Sequence, residues 1–466
     1  MPRFVFLCTD AVIWAIVLAL VLYAHHAAKT PELAAKWKKL TGNTTALFCA
    51  ALLSVFFSVA LADSVHFRPR LDVGPTGVVA YAPKTVSALD YFVGRHIAGT
   101  ERSYSAPFAL FDFDKTSALV AQKPVRRFAR LKGASPDVAP EDKAQALVTD
   151  FAHGATAGLG LSCLLLGVFT LLRRQKGERL SQSIRRLTGS QNPLSPILWV
   201  WTGAFFVAGL LWGLWPFWHI FGTDAVGNDV LLSAVKSVRT GVVIGSLATA
   251  CMLPPAVFLG IAAGYFKGRV DDVIQYIYTT ITSIPSVLLI AASVLMIQVF
   301  IDTNPSLYQT GLERADLRLF SLSVIIGVTS WAGLARLLRA ETMKLSEVDF
   351  IAAAKAFGVS PVRIMARHIF PNVAHIVLIV AVLDFSGIVL YEAVLSYVGV
   401  GVDPAMASFG SMINSAASEM GRSPTVWWNL AASLLFMVSL VLSANLFASG
   451  VREVFDPRAK KERSRA

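Results

Sequence analysis

Two carboxylates lie inside one strongly apolar segment, residues 375–398. Asp384 and Glu392 are eight residues apart, just over two helical turns, so a helix would place them on related faces. A carboxylate near the centre of a bilayer costs on the order of 3 kcal/mol and therefore usually faces a bundle interior or a cavity. The pair predicts the lining of a translocation path, contact with a partner subunit, or hydrogen bonds within a helix bundle.

Sequence motifs of catalysis and metal binding are absent. The chain has no GxxxxGK[ST] phosphate loop, no HExxH and no GxSxG. His25 and His26 form an isolated pair that more often marks a helix end than a metal site. The four cysteines lie in apolar runs without a CxxC pair, which argues against a disulfide framework and a zinc site. We predict no catalytic residue and no metal ligand on this chain.

The composition predicts a polytopic membrane protein. Of 466 residues, 55% are hydrophobic and only 15% are charged, whereas soluble proteins have about 25% charged residues. This balance excludes a soluble enzyme, a disordered protein and a disulfide scaffold. Continuous apolar blocks of membrane-spanning length predict an all-α protein with about nine transmembrane helices. These blocks are approximately 4–24, 44–62, 152–172, 197–217, 239–265, 274–300, 319–338, 375–398 and 426–449.

The basic residues predict the orientation in the membrane. The net charge is +12, and Lys and Arg concentrate in the loops 25–43 and 173–196 and in the C-terminal tail. Nine spans place these loops on one side, together with 339–374, and the positive-inside rule makes that side the cytoplasm. The N-terminus is then external and the C-terminus cytoplasmic. Because the charge is scattered over loops, we predict contact with membrane lipid and no nucleic acid partner.

The stretch 63–150 then lies outside the membrane. Its interspersed aromatic residues predict a small folded external domain rather than a disordered linker. A membrane-anchored enzyme or scaffold acting through this domain is the alternative hypothesis, and an enzyme would require His66, Asp90, His96 and Glu101 to converge. The predicted domains are two helices in 1–62, the external domain 63–150, a third helix with a basic linker in 151–194, and a core of 195–460.

We call residues 345–372 the elbow. Ser346 and Asp349 resemble a capping box that starts a helix, and Gly358 suits the C′ position that ends it. Ser360 and Pro361 then start a second helix, which is predicted to end before Pro371. Phe350, Ala354 and Phe357 share one face of the first helix. This face either docks in a groove on another protein or packs on the chain's own bundle.

The elbow resembles the EAA loop of permease subunits in ATP-binding-cassette (ABC) importers. The match is carried by Ala353, Ala354, Gly358, His368, Pro371 and Asn372. The family's usual glutamate is Ala352 here, and Asp349 or Lys355 are the neighbours that could compensate. The resemblance implies coupling to an ATPase through Asp349, Phe350, Ala353, Ala354, Phe357, Gly358, His368, Pro371 and Asn372.

A second motif, HIFGTDAVGND at 219–229, contains two turn glycines and an aspartate placed to cap a helix. The residues after it predict an amphipathic helix in the outer interface before the fifth span. The segment resembles the external GTDxxGRD motif of the dipeptide, oligopeptide and nickel permease family, with Asn228 in place of the usual arginine. The residues carrying this match are Gly222, Thr223, Asp224, Gly227, Asn228 and Asp229.

The order of motifs matches the second, C-type permease subunit of that family over about 195–460, whereas residues 1–194 have no recognised counterpart. The match continues through LSYVGVGVDPAMASFGSMI at 395–413 and GVREVFDPR at 450–458. Glu392 matches the family's glutamate before the first of these, which favours the path interpretation for this residue. For Asp384, a role in the path and a structural role both stay open.

The resemblance implies a type I importer permease core of about six helices in a bacterial inner membrane. Its partners would be a homologous second permease subunit, two ABC ATPase domains and an external substrate-binding protein. The ATPases would bind ATP and Mg, so no cofactor is expected on this chain. Substrate would move inward by alternating access, and the substrate would be a dipeptide, an oligopeptide, a nickel chelate or a related small solute.

Overall fold

The computed structural model describes residues 3–71, 80–82, 85–94, 100–120, 123–135, 138–173, 180–189, 192–308 and 310–455. Within these ranges, nine helices are long and apolar enough to cross a membrane. The predicted fold class, an all-α polytopic membrane protein with about nine spans, is confirmed. His96, part of the basic linker and the tail after residue 455 lie outside the described residues.

The elements up to residue 189 are β1 (Arg3–Val5), α1 (Cys8–Lys29), α2 (Pro31–Leu40), α3 (Thr44–Asp63), β2 (His66–Arg68), β3 (Arg70–Leu71), β4 (Ala80–Tyr81), β5 (Val86–Ser87), α4 (Ala88–Val93), β6 (Phe111–Val120), β7 (Lys123–Arg130), α5 (Lys143–Arg173) and α6 (Leu180–Thr188). The later elements are α7 (Ser195–Leu214), α8 (Val230–Phe266), α9 (Gly268–Ser283), α10 (Ser286–Thr303), a 3₁₀ turn (Pro305–Leu307), α11 (Gly311–Ser330), α12 (Ala332–Leu345), α13 (Asp349–Ala356), α14 (Pro361–Ile364), a π-helical turn (Met365–Ile369), α15 (Phe370–Tyr397), α16 (Phe409–Glu419) and α17 (Trp428–Phe455).

Two predicted boundaries in the core were wrong. The span 274–300 is broken before Pro285, which has no N–H to donate and holds Ile284 in an extended conformation. An amphipathic helix, α9, therefore precedes a shorter apolar helix, α10. The separate interfacial helix predicted after residue 229 is the first part of α8, which continues for 37 residues through Pro254 and Pro255.

Short antiparallel sheets form much of the described part of segment 63–150. Strands β1, β2 and β5 form one sheet in that order, with Arg3 opposite Arg68. Strands β3 and β4 form a second, and β6 and β7 form a hairpin with an irregular register between Phe111 and Lys115. Because residues 3–5 are a strand, the first helix begins at Cys8 rather than at the predicted residue 4.

By its internal contacts the chain divides into two units. The first comprises Met1–Phe6, Thr41–Thr240 and Ala407–Ser443, and the second comprises Leu7–Leu40, Gly241–Met406 and Ala444–Ala466.

Helices α5 and α7 of the first unit touch through paired glycines. Gly154 and Gly158 lie one turn apart on α5, and Gly209 and Gly213 lie one turn apart on α7. A Cβ on Gly209 would lie 2.3 Å from Cα of Gly158, and a Cβ on Gly213 would lie 2.5 Å from Cα of Gly154. Small residues spaced four apart allow such close backbone approach between membrane helices.

The second unit has a core in which the elbow takes part. Leu338 of α12, Ile351 of α13, Ile364 of α14 and Val373 of α15 are fully buried in one cluster. Complete burial of one apolar side chain of this size stabilises the fold by roughly 1.5–3 kcal/mol. The elbow is therefore fixed to the bundle through several large apolar side chains.

Candidate functional site: the elbow, the external turn and a membrane cavity

Helix α13 ends at a turn that requires glycine. Gly358 has a φ of 73°, in the left-handed region that glycine adopts without strain. Its N–H donates to the Lys355 carbonyl at 3.0 Å, and the N–H of Val359 donates to the Ala354 carbonyl at 3.1 Å. These bonds form a Schellman motif, which satisfies carbonyl groups at the helix end. The predicted C′ position of Gly358 is confirmed.

The start of α13 differs from the predicted capping box. Ser346 caps the C-terminus of α12, and its hydroxyl donates to the Met343 carbonyl at 2.8 Å. Val348 precedes α13 in an extended conformation without a side-chain hydrogen bond to the helix. Because α12 runs to Leu345, Ser346 belongs to the end of that helix and does not cap the next one. The capping-box prediction was wrong.

The second half of the elbow is helical throughout. Pro361 occupies the first turn of α14, as predicted, but the helix does not end before Pro371. The π-helical turn Met365–Ile369 precedes this proline, which lies in the first turn of α15. The Asn372 side-chain amide donates to the His368 carbonyl at 2.6 Å. A wider turn tolerates a residue without an N–H, and such turns are frequent at functional sites.

One face of α13 packs on the bundle and the other is uncovered. Ile351 is fully buried and Ala354 is 9% exposed, whereas Phe357 is 87% exposed and Phe350 is 43% exposed. The predicted common face is therefore only partly uncovered, with Ala354 buried and both phenylalanines exposed. Packing on the chain's own bundle therefore holds for the side of Ile351 and Ala354. The described residues leave Phe357 largely uncovered, and its docking in a groove on another protein stays a prediction.

The other residues of the predicted coupling set lie beside this surface. The ring centroid of His368 lies 6.5 Å from that of Phe350, and the Lys355 ammonium lies 4.8 Å from the ring centroid of Tyr265. Lys355, which is not in the set but is the neighbour that could compensate for Ala352, thus packs on an aromatic ring of the bundle by a cation–π contact. Besides Phe350 and Phe357, the exposed members of the set are Asp349, Ala353, Gly358, Pro371 and Asn372.

Asp224 closes the turn between α7 and α8. Its Oδ1 accepts from the N–H groups of Val226 at 2.9 Å and Asn228 at 2.8 Å. Its Oδ2 accepts from the Asn228 side-chain amide at 3.0 Å. Asn228, which departs from the usual arginine, therefore donates from an uncharged amide to the Asp224 carboxylate inside the turn.

Two glycines of this turn allow a loop from segment 63–150 to lie against it. Gly222 and Gly227 have φ values of 60° and 84°. A Cβ on Gly222 would lie 2.2 Å from the carbonyl oxygen of Ser105, and a Cβ on Gly227 would lie 2.1 Å from that of Glu101. Both positions thus require glycine for backbone conformation and for space.

Thr223 forms hydrogen bonds with two distant parts of the chain. Its N–H donates to the Ser105 carbonyl at 3.1 Å, and its hydroxyl donates to the Ser103 carbonyl at 2.8 Å. The Trp428 indole N–H donates to the Thr223 carbonyl at 3.0 Å. The ring of Phe113 packs edge-on against that of Trp428, with centroids 5.4 Å apart. The threonine therefore links the turn to segment 63–150 and to the start of α17.

A buried histidine lies between two carboxylates at the base of the turn. His219 Nδ1 lies 2.8 Å from Asp229 Oδ2, and His219 Nε2 lies 3.6 Å from Glu101 Oε1. Burial by itself lowers the pKa of His219, but the hydrogen bond with Asp229 and the nearby Glu101 outweigh it and raise the pKa to about 9. His219 is therefore positively charged at neutral pH.

Both carboxylates have further hydrogen bonds. Asp229 Oδ1 accepts from the N–H of Leu232 at 2.8 Å, which confirms its predicted role as the cap of α8. Glu101 accepts from the N–H groups of Lys132 at 3.0 Å and Gly133 at 2.8 Å. Burial raises the pKa of Glu101, but His219 and these N–H groups outweigh it and hold the pKa below its usual value.

The sequence did not indicate the pairing of Glu101 with His219. The two residues lie in different predicted domains, and Glu101 was considered only as a member of an enzyme cluster. The signal available was His219, three residues before the first glycine of the GTD motif, because a histidine side chain is not needed to form such a turn. Ser105 and Trp428 were missed for the same reason, because their partners are distant in the chain.

Of the groups required by the alternative enzyme hypothesis, Glu101 and Asp90 have separate partners. Glu101 pairs with the histidine of the turn, whereas Asp90 binds Lys236 at 2.7 Å and closes a capping box with Ser87. His66 belongs to strand β2, and His96 lies outside the described residues. Within the described ranges, no group of three or more His, Cys, Asp or Glu side chains could hold a metal ion.

The two carboxylates of α15 have different surroundings. Asp384 lines a cavity of about 470 Å³ whose wall comes from α8, α10, α11, α12 and α15. Glu392 is 1% exposed and accepts from the Ser396 hydroxyl at 2.6 Å. The Ser396 hydroxyl in turn accepts from the N–H of Val402 at 3.2 Å. Glu392 thus lies within the bundle, and its place in a translocation path stays a prediction.

Comparison with known proteins matches residues 256–461 to the family described as "Binding-protein-dependent transport system inner membrane component". The chain is 29% identical over 244 residues to the dipeptide transport system permease protein DppC of Lactococcus lactis subsp. cremoris, a match of 52% of this chain and 65% of the relative. It therefore spans slightly less than two thirds of that protein.

Oligopeptide permeases are similar over the same share of the chain. The oligopeptide transport system permease protein OppC of Haemophilus influenzae is 28% identical over 241 residues, 52% of this chain and 71% of the relative. OppC of Escherichia coli K12 is 30% identical over 240 residues, 52% of this chain and 72% of the relative. The protein belongs to the family of binding-protein-dependent transport system inner membrane components, in which it is similar to the C-type permeases of dipeptide and oligopeptide transport.

Proposed function

We propose that this chain is a permease subunit of an ATP-driven importer for dipeptides, oligopeptides or a related small solute. The observation that carries the proposal is the elbow, in which a short helix is fixed to the bundle and leaves Phe357 87% exposed. An aromatic side chain left in water on a rigid helix is a typical anchor for a groove on another protein. The relatives are permease proteins of dipeptide and oligopeptide transport systems, which supports peptides as the substrate class.

The elbow would transmit movement from ATPase subunits to the bundle. Ile351 and Ile364 bury its inner side, so a force on the exposed side reaches α12 and α15 through packed side chains. ATP and Mg would be bound by the two partner ATPase domains, and this chain would take no cofactor. Closure of those domains would drive the bundle between inward-open and outward-open states.

The remaining partners follow from the expected orientation. The basic loops and the elbow would face the cytoplasm, which places the GTD turn and segment 63–150 outside, where a substrate-binding protein delivers solute. A homologous second permease would complete the path, and membrane lipid would surround both. Asp384 would line the path on this chain, while Glu392 would hold the loop that follows α15 through Ser396.

The proposal is tested by Phe357→Ala in the assembled transporter. Because Phe357 contributes almost no packing within this chain, the variant should insert and fold normally. It should bind the ATPase subunits roughly tenfold more weakly, since a buried aromatic anchor is lost. Co-purification of the ATPases and ATP-driven peptide uptake by membrane vesicles are the measurements. Gly358→Pro should abolish uptake as well, because proline cannot adopt a φ of 73°.

Two matched variants control this experiment. Phe92→Ala removes another exposed aromatic side chain, 63% exposed on α4, and should leave ATPase binding unchanged. Gly358→Ala places a Cβ in open space and so adds only backbone strain of about 1–2 kcal/mol. Normal uptake by both Phe357→Ala and Gly358→Pro at normal membrane abundance would contradict coupling through the elbow.

A further inference from the structure

The cavity beside Asp384 has the size and character of a small-molecule site. Its volume of about 470 Å³ lies within the roughly 300–1,000 Å³ common for such sites. The wall is mostly apolar, with residues such as Met252, Ile290 and Leu337. An apolar wall with few polar groups tolerates varied side chains and fixes a solute through the polar groups it does have.

The polar groups of the wall are one carboxylate and three hydroxyls. Asp384 is the only acidic or basic side chain in the described wall, and Ser286, Ser330 and Tyr391 supply the hydroxyls. Tyr391 donates to Ser286 across the cavity edge at 3.1 Å. Hydroxyl groups both donate and accept, so they can bind amide groups of a backbone whatever its side chains.

Asp384 has no counter-charge in the described ranges of the chain. It lies near the middle of the 28-residue helix α15 and is half-buried. No hydrogen bond or ion pair to its carboxylate occurs among the residues that the structure describes. Other buried carboxylates of the same unit are paired: Asp271 binds Arg339 through two nitrogens, and Asp403 binds Arg318 at 2.7 Å.

An unpaired carboxylate at this depth is costly, and a cation in the cavity removes the cost. We propose that Asp384 is the counter-ion for the ammonium group of the transported solute, as presented by the N-terminus of a short peptide. The assignment rests on the proposed function. Asp384 would select for a free amine, and the apolar wall would accept different side chains.

The test uses the whole complex, with its binding protein and ATPases, reconstituted in proteoliposomes. Initial ATP-driven uptake is measured for a tripeptide with a free N-terminus and for its N-acetylated form. The variants are Asp384→Asn, which keeps the shape and removes the charge, and Asp384→Glu, which keeps the charge. The binding protein's own preference is the same in every case, so it cancels when uptake ratios are compared between variants.

The wild-type complex should take up the tripeptide with a free N-terminus faster than its N-acetylated form. Asp384→Asn should reduce that preference roughly tenfold, the scale of one charge-assisted hydrogen bond, and Asp384→Glu should retain it. An unchanged ratio in Asp384→Asn would overturn the proposal. Equal loss of both peptides, with normal assembly, would overturn it too and assign the charge to a cation on a neighbouring subunit. Uptake of neither peptide by the wild-type complex would refute peptides as the substrate class and, with it, this assignment.

Discussion

His219 keeps its charge inside the protein because two carboxylates surround it. The side chains of His219, Glu101 and Asp229 are 5%, 2% and 1% exposed. Folding raises the pKa of His219 from 6.5 to about 9, so this pairing stabilises the folded state fully below pH 6.5 and is lost as the pH rises through about 9. The lowered pKa of Glu101 adds stability that is present above pH 4.5 and is lost as the pH falls.

We therefore expect the stability of the purified protein to fall between about pH 6 and pH 10, and His219→Gln to remove most of that dependence. At pH 6 the variant should lose about 3 kcal/mol or more, because two buried carboxylates lose their cation. Thermal unfolding in detergent across this pH range is the measurement. His153→Gln, an exposed histidine of α5, is the control. Identical pH profiles for wild type and His219→Gln would refute the charged pairing.

At the scale of elements, the contact between α5 and α7 depends on residues without side chains. The four glycines bring two backbones within contact distance, so the third predicted span is held directly against the first helix of the permease core. No large apolar side chain could make this contact at the same helix separation. The sequence contains GATAG at 154–158 and GLLWG at 209–213, but its apolar pattern alone predicts two spans and not their pairing.

Gly209→Leu should separate these helices, whereas Gly160→Leu should not. A side chain at residue 209 of α7 collides with the backbone of Gly158 on α5. A Cβ at Gly160, also on α5, would have no neighbouring atom within 4 Å. Overpacking of this kind costs roughly 1–3 kcal/mol or more. Thermal unfolding and resistance to limited proteolysis in detergent would show the difference. Equal stability of the two variants would be inconsistent with a close α5–α7 contact.

The elbow shows which local features a sequence determines. The position of Gly358 was predictable because a helix end needs a residue with positive φ, and glycine supplies it locally. Ser346 was assigned to the wrong helix because its pattern fits a cap, while the preceding helix extends farther than expected. The continuation through Pro371 was likewise decided by a π-helical turn, for which the sequence has no simple signal.

At the scale of the whole molecule, segment 63–150 supports the GTD turn of the predicted core. Leu110 and Leu131 share a buried cluster with Trp218, and Tyr104 shares another with Trp428. Together with the hydrogen bonds of Thr223 and the ion pair of His219, these contacts make the segment part of the folded unit. A role limited to holding a partner would not need such contacts.

Replacement of residues 65–141 by a short flexible linker should therefore destabilise the permease itself. The change exposes the two tryptophans and leaves His219 without Glu101. The midpoint of thermal unfolding and the abundance in the membrane should both fall, even without a binding protein present. As a milder comparison, Glu101→Gln keeps the packing and removes one charge. A protein lacking 65–141 that unfolds at the wild-type temperature would show that the segment is an independent attachment.

The sequence by itself determined the class, the approximate spans, the two motifs and the family. Spans follow from composition because a bilayer requires a run of apolar residues, and turns follow from glycine because its conformational range is local. Tertiary structure decided the pairing of Glu101 with His219, the α5–α7 contact, and the placement of Asp384 at a cavity and Glu392 within the bundle. Each of these depends on which distant segments pack together, and neither hydropathy nor local propensity contains that information.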